Sequence, residues 1–256
     1  MIRLWEPKEN YESFDAHKSN GYFALYRKEG FLPYVRRYKG LGRGELLSLI
    51  QDARRYRWQA LDLSNCGLTE LPDALWDLPD LRMLYLGKDF ASNNPPNRLT
   101  ALSRDMERLQ NLQVLSLRNQ MIRMEENTSL NLPNLVCLDL RGTGITQLPD
   151  CAAKWTNLRT LDLSGTGITQ LPDCAAKWTN LEVLNLSETG ITQLPDCAAK
   201  WTNLKELYLS RTGITQLPDC AAQWTNLVRL DLSATGITQL PDCAAQWTNL
   251  KELYLS

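Results

Sequence analysis

The last 113 residues of this chain write one 23-residue unit five times over. The unit GITQLPDCAAKWTNLRTLDLSGT, Gly144 to Thr166, starts again at Gly167, Gly190, Gly213 and Gly236, and the final copy stops two residues short. A fixed period of this length belongs to a unit that cannot bury its apolar face alone and must stack on copies of itself. The chain is therefore expected to fold as a solenoid and not around one compact core.

Within each unit the stretch NLRTLDLSGTGI places Leu158, Leu161, Leu163 and Ile168 inward, and the alternation over Thr160 to Ser164 is that of a half-buried strand. Gly167 follows where the chain must turn off the strand. Pro149 suits the start of a short helix, and Asp150 in its first turn complements the helix dipole. Leu148, Ala152 and Trp155 share one helical stripe facing the core. Asn157 reads as the turn back into the next strand.

The pattern L-x-x-L-x-L-x-x-T-x-I followed by a Leu-Pro step resembles the leucine-rich repeat family. It is similar to the 23-residue class of plant intracellular and bacterial Roco-type arrays. The resemblance implies an α/β solenoid: a horseshoe with a parallel concave sheet, short convex helices and an N-terminal capping helix. The first inward position recurs at Trp58, Leu81, Leu112, Leu135, Leu158, Leu181, Leu204, Leu227 and Leu250, giving nine repeats over 58–256, the last incomplete. One step is 31 residues long instead of 23, and its eight extra residues lie near 89–97 in DFASNNPPN. The family's Asn ladder is occupied by Thr143, Thr166, Thr189, Thr212 and Thr235, with Cys66 and Gln120 in earlier repeats, so weaker ladder bonds are expected. Trp155 stands for a Leu while Ala152 stands for an Ile, a swap that conserves core volume.

Ahead of the array, residues 45–57 read as an amphipathic capping helix with Leu46, Leu47, Ile50 and Ala53 on its apolar stripe. Residues 1–44 form an aromatic and basic arm: nine of the 21 aromatics precede Lys39, interleaved with Arg27, Lys28, Arg36, Arg37 and Lys39. This mixture could contact nucleic acid or anionic lipid, but an arm folded over the cap is the simpler expectation. The last strand, Lys251 to Ser256, is an unpaired edge that invites self-association, and a chain continuing beyond it would explain its lack of a cap. The opening residues lack the apolar core of a signal peptide. A cytoplasmic location is expected, with export by a route that reads no signal peptide as the alternative.

Reactive chemistry is sparse. His17 is the only histidine, so a Ser-His or Cys-His pair has little to build on. No phosphate-binding G-x-x-x-x-G-K-[ST] motif occurs, and Gly40 to Gly44 reads as a link to the cap. Five of the seven cysteines share one repeat phase, which is no disulfide framework and suits small hydrophobes between coils. The Asp62, Asp139, Asp162 and Asp231 series is interrupted by Tyr85, Ser116, Asn185 and Tyr208, and so reads as neither a carboxylate pair nor a calcium array. No enzyme, cofactor or metal is expected.

The copies themselves indicate a surface. They differ at the positions aligned with Lys154, Arg159, Thr160, Asp162 and Gly165, and four of those five belong to the concave wall. Thr146, Gln147, Asp150, Ala153, Thr156 and Asn157 never change, although drift should strike both faces alike. The expected contact residues are Tyr85, Arg159, Asp162, Glu182, Asn185, Glu188, Lys205, Glu206, Tyr208, Arg211, Arg229, Asp231 and Tyr254. Tyrosines and arginines are frequent anchors at protein interfaces, and the mixed signs disfavour nucleic acid. A non-enzymatic module binding a protein or long peptide is expected. The alternative is the recognition region of a longer signalling protein, either a Roco-like GTPase or a delivered effector; a ubiquitin-ligase effector fits poorly, because the resemblance there is to 20-residue repeats.

Overall fold

The computed structural model describes residues 42–88, 95–123 and 130–255. His17 and nearly all of the expected N-terminal arm lie outside the described residues, as do most of the insertion and Ser256. A helix α1, Arg43–Arg55, opens the described chain. Its first turn is closed by Glu45, whose carboxylate accepts the Gly42 N–H at 3.0 Å. Leu46, Leu49, Ile50 and Ala53 are buried, and α1 packs on the first coil. Leu49 therefore takes the place expected of Leu47, which is only half-buried.

Nine parallel strands follow in sequence order within one sheet: β1 Ala60–Asp62, β2 Met83–Tyr85, β3 Val114–Ser116, β4 Cys137–Asp139, β5 Thr160–Asp162, β6 Val183–Asn185, β7 Glu206–Tyr208, β8 Arg229–Asp231 and β9 Glu252–Tyr254. The register is constant, Leu61 facing Leu84 and so on to Leu230 facing Leu253. Each strand is three residues long, shorter than the five expected. The chain has to leave the sheet at once to close a 23-residue coil. The return paths are 3-10 turns such as Asp150–Lys154, preceded by Pro149. An α-helix would need more residues than the Leu-Pro step and the Trp leave free. Among the described residues no helix is long and apolar enough to cross a membrane.

The core is one continuous column, Leu46 to Trp247. The first two return turns fill it with Leu75 and Leu78, then Met106 and Leu109; later coils use Ala152 and Trp155 and their copies, buried except for half-buried Ala244 in the last coil. The exchange of small for large across the stripe is thus volume-compensated. Tryptophan does more than fill space. The Trp178 indole N–H donates to the Ala152 carbonyl at 3.0 Å, and Trp201, Trp224 and Trp247 repeat this on Ala175, Ala198 and Ala221. Each indole ties its coil to the one before.

Two expectations about the turns need correcting. The threonine hydroxyls donate within their own coil, Thr166 to the Leu163 carbonyl at 2.6 Å and likewise in the other copies, so they form no ladder between coils. That task falls to the asparagines after the tryptophans: Asn180 Nδ2 donates to the Thr156 carbonyl at 2.8 Å, and Asn203, Asn226 and Asn249 do the same one coil on. In the second repeat Asn97, just past the insertion, joins two coils by donating to both the Leu63 and Leu86 carbonyls. The second correction concerns glycine. The left-handed residue is Gly165, with φ of 64°, and not Gly167. At Gly167 the coils approach closely instead, because a Cβ there would sit 3.3 Å from the Ile145 carbonyl oxygen and 3.1 Å from the Thr146 methyl.

Candidate functional site

At about 4.8 Å per strand, the nine-stranded wall runs on the order of 40 Å. Its outward side chains come from the first and third residue of each strand, and the wall divides in two. From β1 to β6 every strand residue is buried; from β7 to β9 the outward positions are half-buried or exposed. Tyr85, Asp162 and Asn185, expected as contact residues, are buried and cannot meet a partner without rearrangement. Glu188, Lys205, Arg211 and Tyr254 are exposed; Arg159, Glu182, Glu206, Tyr208, Arg229 and Asp231 are half-buried.

The aspartate series has a structural role that the sequence reading missed. Asp162 Oδ1 accepts the Ser164 backbone N–H at 3.0 Å, and Asp62, Asn185 and Asp231 take the N–H two residues on in the same way. This is the Asx-turn that lets the chain leave the strand. The cue was a short carbonyl-bearing side chain two residues before each turn. The pairing of Asp139 with Asp162 across β4 and β5 also brings two buried carboxylates together, contrary to the expectation of no carboxylate pair. Arg141 lies 3.5 Å from Asp139 and 3.9 Å from Asp162. Burial first, and then the Asp139 charge, push the Asp162 carboxyl up to about 6. A carboxylate pair could suggest acid-base chemistry, but the Asx-turn accounts for Asp162. Among the described residues no cluster of His, Cys, Asp or Glu could hold a metal ion.

In β7 and β9 tyrosine replaces the aspartate, and in β7 the Asx-turn acceptor is given up. What replaces it is a connected polar surface. The Tyr208 hydroxyl donates to Glu206 at 2.5 Å and accepts from Arg229 Nη1 at 3.1 Å. Arg229 Nη2 donates to Glu252 at 2.8 Å, and Tyr254 donates to the same carboxylate at 2.9 Å. Burial raises the Tyr208 phenol above its usual range, and Arg229 holds Glu252 below the usual carboxylate range. One edge of this surface carries Arg159, Glu182 and Lys205 in a row, with Glu182 3.6 Å from Arg159 and 2.6 Å from Lys205.

The exits from the strands carry the other edge. The residues at the Gly165 phase are Glu188, Arg211 and Ala234, with φ of 58°, 55° and 53°. A side chain in this left-handed region costs about 1–2 kcal/mol relative to glycine. The Arg211–Glu188 pair, at 2.9 Å with both side chains more than half exposed, returns at most about 1 kcal/mol. Stability alone therefore does not favour Glu188 and Arg211 over the glycine that fits there. By contrast the unchanging Asn157 is fixed by structure, since its amide donates to the Pro133 carbonyl at 2.9 Å. The cysteines at the shared phase are half-buried against the core, and burial raises their thiols.

A family model described as a leucine-rich repeat region matches residues 101–208, and one described as a leucine rich repeat matches 57–78. The chain belongs to the leucine-rich repeat family. Compared with the curated proteins, its sequence matches none. Among solved structures it is similar to a leucine-rich repeat protein of Leptospira interrogans, at 26% identity and a TM-score of 0.71 over 88% of this chain. The chain spans 59% of the length of that protein. Internalin C2 of Listeria monocytogenes is 23% identical, with a TM-score of 0.62 over 78% of this chain and 81% of its own. The internalin InlF of the same species is 18% identical, with a TM-score of 0.59 over 84% of this chain and 64% of its own. These two internalins show the shared fold alone. Leucine-rich repeat arrays are commonly protein-interaction modules.

Proposed function

We propose that this leucine-rich repeat chain is a non-enzymatic module that binds a protein or long peptide on the β6 to β9 section of its concave wall. The contact set is Tyr208, Arg229 and Tyr254 at the centre, with Glu182, Glu188, Lys205, Glu206 and Arg211 around them. The observation that carries this reading is the concentration of side chains kept at a structural cost. Tyr208 forgoes the Asx-turn, and Glu188 and Arg211 occupy strained positions. Tyrosine and arginine at the centre of a polar rim match the composition of energetically dominant interface residues. The alternating signs suit a protein surface and not a phosphate backbone.

The test is capture from a lysate by the intact chain beside a variant carrying Tyr208→Ala, Arg211→Ala and Arg229→Ala. Truncating three such anchors is expected to weaken retention by about 100-fold or more, while Thr156→Ala on the outer curve leaves it unchanged. Equal capture of the same partner by a folded triple variant would refute the assignment.

A further inference from the structure

The outward positions of β7 to β9 carry three carboxylates, Glu206, Asp231 and Glu252, against one guanidinium, Arg229, and two phenols, Tyr208 and Tyr254. Arg229 is answered on both sides, by the Tyr208 hydroxyl and by Glu252. Glu206 accepts the Tyr208 hydroxyl and Asp231 Oδ1 the Ser233 N–H at 2.9 Å, and among the described residues neither carboxylate forms an ion pair. The register sets Tyr208 beside Asp231 on β7 and Tyr254 beside it on β9. Strands about 4.8 Å apart separate the two tyrosines by roughly 9.6 Å, with the carboxylate midway. Asp231 is the shorter side chain, half-buried between them, and keeps access to solvent. Among the described strands no other aspartate has tyrosine on both sides; Asp139 and Asp162 neighbour each other instead and are buried.

We infer that this slot receives a lysine side chain of the protein partner, its ammonium bound at the Asp231 carboxylate between Tyr208 and Tyr254. The inference rests on the proposed partner site and names the chemistry which that site takes. Charge selects a cation, because three carboxylates share one guanidinium and a partner carboxylate would add to the excess. Spacing selects lysine over arginine. A point charge midway between the tyrosines is roughly 4.8 Å from each, inside the ~6 Å over which a cation is drawn to an aromatic ring. A flat guanidinium stacks at about 3.5 Å and so can engage one ring but not both. The neighbouring cations Lys205 and Arg211 do not fill this role, since they are held by Glu182 and Glu188.

The test selects random phage-displayed peptides on the full chain and titrates the recovered sequences as synthetic peptides. Those that lose binding to Tyr208→Ala are the wall binders, and they are expected to share one lysine. Norleucine in its place should weaken binding by about 10-fold or more, because the charge-assisted bond is lost; arginine should weaken it by about 3-fold. Asp231→Asn keeps the turn acceptor, as Asn185 does. It should weaken the lysine peptides by about 10-fold and leave their norleucine versions unchanged. Tyr254→Leu should cost about 5-fold, and Tyr254→Phe, which keeps the ring, much less. A lysine preference that disappears in Asp231→Asn supports the slot. Tyr208-dependent peptides with no shared lysine, or with one that Asp231→Asn does not affect, overturn it while the partner site stands. Recovery of no Tyr208-dependent peptide removes both.

Discussion

Replacing Trp201 by alanine is expected to destabilise the array by about 4–8 kcal/mol, more than any surface change. Deleting a buried tryptophan costs about 3–5 kcal/mol through lost apolar transfer and the cavity left behind. The Ala175 carbonyl, now accepting the indole N–H at 3.0 Å, would also lose its partner, which adds about 1–3 kcal/mol. Because the coils contact only their neighbours, the loss falls on the interfaces either side of Trp201. Urea unfolding followed by far-ultraviolet circular dichroism should show a lowered midpoint and a broken single transition. Trp201→Phe keeps most of the volume and should recover about half of the loss. A Trp201→Ala loss below about 2 kcal/mol would mean that the column is not a principal source of cohesion between coils.

The second large effect is on pH dependence. The folded Asp162 carboxyl, at about 6, lies above its unfolded value of about 3.9. A carboxyl raised on folding contributes stability that is fully present below pH ~4 and is lost as pH rises through ~6. At about 1.4 kcal/mol per unit the change is on the order of 3 kcal/mol, Asp162 being almost fully buried. Among the described residues the charged groups facing it are Asp139 and Arg141 on the preceding coil; the following coil offers neutral Asn185. Asp162→Asn keeps the Asx-turn, as Asn185 does with the Ser187 N–H at 3.1 Å. The variant should be more stable than the parent at pH 7 and lose the difference by pH 4. Equal dependence on pH in both proteins would show that Asp162 is not held protonated.

The period made much of this fold legible before any coordinate. Nine inward leucine or tryptophan positions became nine strands in constant register, because stacking identical units leaves the chain few alternatives. Local chemistry was harder to read. Trp155 was recognised as core, but its indole bond to the preceding coil depends on where a neighbouring carbonyl points, which one unit does not reveal. The threonines and asparagines exchanged roles for the same reason, since both residue types can cap a turn and only the spacing between coils decides which one spans it. On the wall, period-two alternation correctly put Tyr85, Asp162 and Asn185 on the outward face of the sheet. Outward is not the same as exposed, and the alternation of one strand does not report solvent access. The surface that remains open, Tyr208 to Tyr254, was visible as variation between copies. Its cost in turn bonds and left-handed backbone was not.

The central claim is that the open section of the inner wall meets a partner, and site-specific cross-linking tests it most directly. A photoreactive phenylalanine analogue replaces Tyr208 or Tyr254 in one pair of proteins, and Thr156 or Gln147 on the outer curve in another. The account predicts that the inner pair joins covalently to one and the same protein, with no adduct from the outer pair. Adducts of that protein from the outer positions, with none from Tyr208 or Tyr254, would contradict it.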